Sequence, residues 1–331
     1  MPKTTTSRGT ETRKRLFHIT NHKCGSQWVR DVLTAPEILR GNHLQHVAHP
    51  PDLGNPDGWK SLPQNSIYSP VYWINALEWC ALREPGDHAI VVIRDPRDVI
   101  VSLMYSWLYS HANTPFVDVV RDTLFSSEST DARLARVLVY GGRLWQRFFY
   151  SWTEFRSTDV LVVRYEDLVA DQEATFGSIL TWLGWEWQRA TLASVVERFS
   201  FERRSGRQPG VADPMSHYRR GIAGDWREHF TRELGGLWES LAPGLLARTG
   251  YEQSDDWWHQ LPPLSEVQAE NACSVEEERL AAQSHRISVL EQELKDKERV
   301  IHELVTACDE RLAVIQQLDS ALKTATANNQ P

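Results

Sequence analysis

Long hydrophobic runs are missing from this chain. No stretch of its 331 residues approaches the ~20 apolar residues of a membrane-spanning helix, the best being short runs such as the AIVVI that begins at Ala89. The N-terminus, MPKTTTSRGTETRKR, lacks the apolar segment of a secretory signal, so a cytoplasmic protein without a membrane span is expected. Cysteine is scarce. Cys24, Cys80, Cys273 and Cys308 lie far apart with no CxxC pair, which argues against a disulfide framework and a structural zinc site and predicts free thiols. No other metal-ligand spacing is found, and no metal is expected. The GxxxxGK[ST] loop of nucleotide triphosphatases is absent as well. Aromatic residues are plentiful by contrast: 14 tryptophans and a hydrophobic share of 41% exclude disorder throughout.

The net charge of −8 is unevenly placed. Residues 264–331 hold 13 acids and 7 bases, a net of −6, which leaves only −2 for residues 1–263. The body can therefore focus local positive charge on an anion, although nothing suggests nucleic acid as a partner. Three parts are expected: a flexible basic arm over 1–15, an α/β body over 16–263 and a tail over 264–331.

Within the body, RLFHIT reads as a first strand, followed by a short polar loop and a helix over 27–33. Residues 41–70, rich in Pro, Gly, Asn and His, read as an irregular excursion, and 71–83 as a helix. HAIVVIR and DVLVVRY are continuous apolar runs of the kind buried on both faces of a sheet. Pro96 falls where a first-turn proline would open a helix. A long aromatic helix is expected over 132–155, and a mobile basic loop over 201–218. This alternation predicts a mostly parallel sheet with helices on both faces. In the tail, positions 280, 287, 294, 301, 308, 315 and 322 are Leu, Ile, Leu, Ile, Cys, Ile and Leu. That seven-residue period predicts a coiled coil and self-association through it; a lone amphipathic helix is the alternative.

Four segments carry candidate chemistry. The loop HITNHKCGSQWVR leaves the first strand at its carboxyl end, where α/β sheets bind ligands and where a helix N-terminus offers free amides to an anion. Lys23 supplies a full charge there, Gly25 lets the backbone approach and Ser26 can donate. Cys24 beside them would have a lowered pKa if it were exposed to that field. In HAIVVIRDPRDVIVS, Arg94 ends a strand and Ser102 follows on the next helix, so one phosphate can be gripped from two directions; the plainer reading of Asp95, Arg97 and Asp98 is that they cap and solvate the helix start. VRYEDLVADQ leaves a strand at Tyr165. YRRGIAGDWREHFT places Arg219 and Arg220 beside Gly221, a pairing that favours anion binding.

In this order the segments resemble the sulfotransferase family that uses 3′-phosphoadenosine 5′-phosphosulfate (PAPS). HKCGSQW is similar to the family's YPKSGTTW loop, which implies that Lys23, Cys24, Gly25, Ser26, Gln27 and Trp28 surround the 5′-phosphosulfate. RDPRDVIVS is similar to RNPKDVAVS and implies Arg94 and Ser102 at the 3′-phosphate. YEDL implies an adenine-side contact for Tyr165, and RRGIAGDWREHFT, similar to RKGxxGDWKNHFT, implies closure of Arg219, Arg220 and Gly221 over the 3′-phosphate. Ser200 and Phe201 fill the adenine-stacking segment more loosely. The resemblance implies a P-loop-like fold and sulfuryl transfer from PAPS to a hydroxyl or amine of a small-molecule, carbohydrate or lipid acceptor. Two departures stand out: Cys24 replaces a serine, and the KTHLP-like segment that carries the family's catalytic histidine is absent. His46 and His49 are the candidate bases, with His43, His111 and Glu78 as others. Tyr68, Tyr72, Trp73 and Trp107 are candidates to line an acceptor pocket, or to be core. A nucleotide kinase or triphosphatase, and a noncatalytic coiled-coil scaffold, remain the alternatives.

Overall fold

The computed structural model describes residues 15–47, 56–127 and 129–264, together with Gln292, Lys295 and Arg299. The chain divides into two compact units, Met1–Val275 and Glu276–Pro331.

The first unit is built on five parallel strands: β1 (Arg15–Thr20), β2 (Gln45–Val47), β3 (Ser66–Tyr72), β4 (Asp87–Ile93) and β5 (Val160–Arg164), in the order β2-β3-β1-β4-β5. β1 lies between β3 and β4, so the chain first winds to one side of β1 and then crosses to the other. That reversal opens a crevice at the carboxyl end of β1, the general ligand position of such sheets.

Every residue of β1 is buried, and successive side chains feed opposite cores, as the period of two requires. Phe17 and Ile19 join Ala89, Val91 and Ile93 in a core with Trp59, Trp79, Phe149 and Trp152. Leu16 joins Ile90 and Val92 in a core with Val29, Leu168, Phe176 and Leu192. Helices thus cover both faces, as expected. Arg15 is tolerated at the buried start of β1 because Asp87 accepts two of its hydrogen bonds, each 2.6 Å; a bidentate charged pair is one of the few ways to bury a guanidinium.

The structure corrects two expectations. Residues 41–70 contain strands β2 and β3, and the helix expected over 71–83 begins only at Ala76, because Val71 and Tyr72 complete β3. Pro70 disguised that strand, since proline cannot donate to a ladder. It stands past the end of β2, whose pairing stops at Val47 and Tyr68, and opposite the point where the register against β1 shifts between Phe17 and Ile19.

The helix Pro96–Tyr105 carries Pro96 in its first turn behind an Asp95 cap, and continues as a π-helical turn over Ser106–Ser110. The long helix runs from Thr130 to Glu154. Residues 201–218 are not all loop: Phe201–Ser205 is a helical turn, and Arg207 fastens the rest by donating to the carbonyls of Val211 (2.8 Å) and Tyr218 (2.6 Å).

Among the described residues no helix is long and apolar enough to cross a membrane. The N-terminal arm, the seam of the expected coiled coil, Cys273 and Cys308 lie outside the described residues. Gln292, Lys295 and Arg299 are helical and exposed, and none of them falls on the seam positions.

Candidate active site

A cavity of about 520 Å³ opens at the carboxyl ends of β1, β3, β4 and β5. Of the expected residues, Lys23, Gly25, Ser26, Gln27, Trp28, Arg94, Ser102, Tyr165, Phe201, Arg219, Arg220 and Gly221 all line it. Segments separated by up to two hundred residues therefore converge on one space.

The β1 loop turns sharply to present its amides. Lys23 and Gly25 both take positive φ, 67° and 75°, and Gly25 precedes the first turn of the helix Ser26–Leu33. A Cβ on Gly25 would approach the Tyr165 ring to 3.1 Å, so the glycine serves both the turn and the close approach. Ser26 and Tyr72 lie hydroxyl to hydroxyl at 3.0 Å, and Gln27 donates to the same tyrosine at 3.3 Å. The Trp28 ring meets that of Tyr165 edge to face at 6.1 Å.

Arg94 fastens the loops together. It donates to the Lys23 carbonyl (3.1 Å) and the Ile222 carbonyl (3.0 Å), and its guanidinium lies 4.3 Å from the centre of the Tyr165 ring. Glu166, the acid after Tyr165, accepts from the backbone N–H of Asp95 at 2.8 Å. The acids of RDPRD are not solvated. Asp95 is buried and pairs with Arg97; Asp98 is buried and accepts from the backbone N–H groups of Gly224 and Trp226, both at 2.8 Å. Asp98 thereby pins the RRGIAGDW segment across the cavity. In that segment Arg219 and Arg220 pair with Asp225, and the Arg219 guanidinium sits 4.6 Å from the Tyr105 ring centre. Gly221 has φ of 66° and its missing side chain makes room for Phe201, whose ring would lie 2.4 Å from a Cβ there.

The lining is cationic with its carboxylates behind it: Arg30 and Arg204 pair with Asp31, Arg94 with Asp98, and Arg219 and Arg220 with Asp225. Lys23, Arg30, Arg94, Arg204, Arg219 and Arg220 line the cavity, and no carboxylate does among the described lining residues. Burial, with Arg94 and Arg219 nearby, pushes the Lys23 ammonium down to about 8. Burial, and to a smaller extent Arg94 and Arg220, pushes Arg219 down to about 10. Such crowding of cations is unfavourable without a ligand and is relieved by an anion.

Four expectations are revised. The Cys24 side chain is fully buried and points to the Asn21 side chain; burial pushes its thiol up to about 12, so the lowered pKa of a reactive cysteine is not found. Ser200 caps the turn that follows, accepting from Arg203 N–H at 3.3 Å, and does not line the cavity. His46 sits on β2 with Nε2 2.9 Å from the Ser69 carbonyl and is also outside the lining; His49 lies outside the described residues. Glu78 completes a capping box with Asn75 and pairs with Arg147. Tyr68 and Trp107 are core, whereas Tyr72 lines the cavity.

Residues that the sequence reading missed include His22, Arg30, Ser106, Phe199, Arg204 and His217. His22 was legible as the neighbour of Lys23, and Arg204 as part of the basic FERRSGR run. His111 reaches the cavity through the π-turn, in which its N–H bonds to the Ser106 carbonyl at 2.7 Å. Such turns are common at functional sites and have no sequence signature.

The family model of the sulfotransferase domain matches residues 81–240, which include Arg94, Ser102, Tyr165, Arg219 and Arg220 but not the Lys23 loop. The chain is 21% identical to cytosolic sulfotransferase 3 of Arabidopsis thaliana over 64% of its own length and 70% of that enzyme. It is 26% identical to human sulfotransferase 2A1 over 43% of its own length, and the match spans half of the human protein. Its fold is similar to that of mouse sulfotransferase SULT7A1, solved in complex with PAP, with a TM-score of 0.54 at 18% identity over 76% of this chain and 89% of the other. With a parallel sheet, a cationic cavity at the carboxyl ends of the strands and a match over residues 81–240, the chain carries a region similar to the sulfotransferase domain.

Proposed function

We propose that the protein is a cytoplasmic enzyme that transfers a sulfuryl group in line from PAPS to a hydroxyl or amine of a small-molecule, carbohydrate or lipid acceptor. The observation that carries this reading is the lining of the cavity, six cations and no carboxylate among the described residues, as a donor bearing a phosphosulfate and a second phosphate requires. A nucleotide kinase draws no support from the same lining, which offers no carboxylate to hold magnesium.

The residues divide the work. Lys23, with the amides of Gly25 and Ser26 at the helix N-terminus, faces the phosphosulfate and meets the charge that grows on the bridging oxygen as the sulfur–oxygen bond breaks. Because Lys23 has no carboxylate partner in the lining, its charge is undivided. Arg94, Ser102, Arg219 and Arg220 bind the 3′-phosphate, and Tyr165, Trp28 and Phe201 flank the nucleoside. Sulfuryl transfer resembles phosphoryl transfer in charge spread, so positioning and electrostatics supply most of the catalysis.

The tail over 264–331 is proposed to join two copies of the chain. Calorimetry with PAP and ATP side by side tests the donor, and labelled PAPS with a panel of phenols, sugars, lipids and peptides tests the acceptor. Tight binding of PAP with weak binding of ATP is expected; equal affinities would refute the donor assignment.

A further inference from the structure

We infer that His22, the residue before Lys23 in the β1 loop, is the base that takes the acceptor's proton. The inference rests on the sulfotransferase reading and assigns the group that the missing KTHLP-like segment left open.

The position follows from the fold. The β1 loop sets His22 and Lys23 side by side, and both line the cavity. The His22 ring lies 4.6 Å from that of Tyr72, whose hydroxyl meets Ser26, and 5.5 Å from that of Trp73, so it stands at the carboxyl end of β3. A base must reach the hydroxyl that attacks sulfur, and His22 shares the cavity with Lys23, the group that meets the leaving oxygen. Glu78, His46 and Cys24 are spent or misplaced, and His111 and His217 share the lining with His22. Glu78 caps a helix, His46 bonds to Ser69 outside the cavity, and the Cys24 thiol is buried. His111, 6.3 Å from His22 ring to ring, has Nδ1 3.3 Å from the Ala112 carbonyl. His217 is more exposed than His22 and lies on the segment fastened by Arg207.

The protonation state suits the role. Burial, then His111 and Lys23, push the His22 imidazole down to about 4. It is therefore neutral and able to accept a proton at pH 7. The groups facing it are Lys23 on its own loop, Tyr72 on β3 and His111 after the π-turn; none is a carboxylate, and the anionic donor is what raises its basicity on binding. As the acceptor oxygen bonds to sulfur, its proton passes to a ring nitrogen of His22. The electron pair of the breaking sulfur–oxygen bond leaves with the 5′-phosphate of PAP beside Lys23, and His22 later releases the proton to water.

The test uses the full chain and its His22→Ala and His22→Gln variants, with His111→Ala and His217→Ala as controls. Labelled PAPS is followed to labelled sulfate with enzyme in excess, water serving as acceptor, and to the sulfate ester with 2-naphthol. Both His22 variants are expected to slow the step by about 10²–10⁴-fold while the PAP dissociation constant stays within about threefold. The acid limb of the wild-type pH profile should disappear in His22→Ala, and added imidazole should restore part of its rate, which a merely structural loss would not allow. A His22→Ala rate within tenfold of wild type, a loss carried by His111→Ala or His217→Ala instead, or a wild-type protein that binds PAP and leaves PAPS intact overturns the assignment of His22. Failure of the wild type to bind PAP at all overturns the sulfotransferase reading beneath it.

Discussion

Arg94 donates to the backbone carbonyl of Lys23 across 3.1 Å, so the second phosphate loop holds the first. The same guanidinium bonds to Ile222 and stacks on Tyr165. One side chain therefore joins the loops after β1, β4 and β5 to the segment that closes over them. Arg94→Ala should weaken PAP binding by about 1.5–3 kcal/mol, the range of a charged hydrogen bond. Arg94→Lys should recover little, because one ammonium cannot span both carbonyls. Calorimetric titration separates the two outcomes: full recovery by lysine would mean that charge alone is needed.

Lys23 should act on the rate more than on binding. Lys23→Ala is expected to lower turnover by about 10²–10³-fold, the scale of losing one group aimed at developing charge, with a much smaller rise in the PAP dissociation constant. An unchanged turnover at saturating PAPS would leave Lys23 as a binding residue.

Protonation of Lys23 should also couple to the donor. Its value in the free protein is about 8, below the ordinary 10.5, and an anion beside it raises that value toward the ordinary one. Between these limits the complex holds more protons than the free protein, so PAP affinity should fall as pH rises through 8 to 10. Proton uptake in that window, read from binding heats in buffers of different ionisation enthalpy, is the measurement. Proton release on binding would contradict the assignment.

Asp98 links stability to the site. It is buried, pairs with Arg94 at 3.4 Å and accepts from Gly224 and Trp226. Asp98→Ala leaves a buried guanidinium and two amides without their acceptor and should cost about 3–5 kcal/mol. Asp98→Asn keeps one acceptor oxygen and should cost less. Urea unfolding ranks the variants, and equal stability of all three would show that water replaces the carboxylate freely.

Much of this was legible in local pattern. HAIVVIR announced β4 because a strand buried on both faces is apolar with little interruption; RLFHIT announced β1 by apolar alternation; DVLVVRY announced β5, although that edge strand is only part-buried; and Pro96 marked its helix. Their loops named Lys23, Arg94 and Tyr165. β3 was hidden because Pro70 reads as a breaker, and only the register shift against β1 accommodates it. Asp98 looked solvated because its partners, the amides of Gly224 and Trp226, lie far along the chain, and the local Asp95–Arg97 pair looked exposed because Glu252 and Glu166 reach it only in three dimensions. His111 was a candidate by residue type alone; the π-turn that brings it to the cavity leaves no pattern in composition.

The tail should govern oligomeric state. As one continuous helix, the expected seam from Leu280 to Leu322 would span about 63 Å at ~1.5 Å per residue, long enough to hold two chains in register. Alternate positions of the second seam, Gln283, Lys297 and Arg311, are polar, which lowers stability and restricts the alignments available. The full chain should therefore run as a homodimer by light scattering, and a chain ending at Val275 as a monomer. Cys308 falls on the seven-residue repeat, so in such a coiled coil mild oxidation should cross-link a parallel pair and leave an antiparallel pair unlinked. Two monomers would reduce the tail to a lone amphipathic helix, whereas two dimers would move the interface to the sulfotransferase domain.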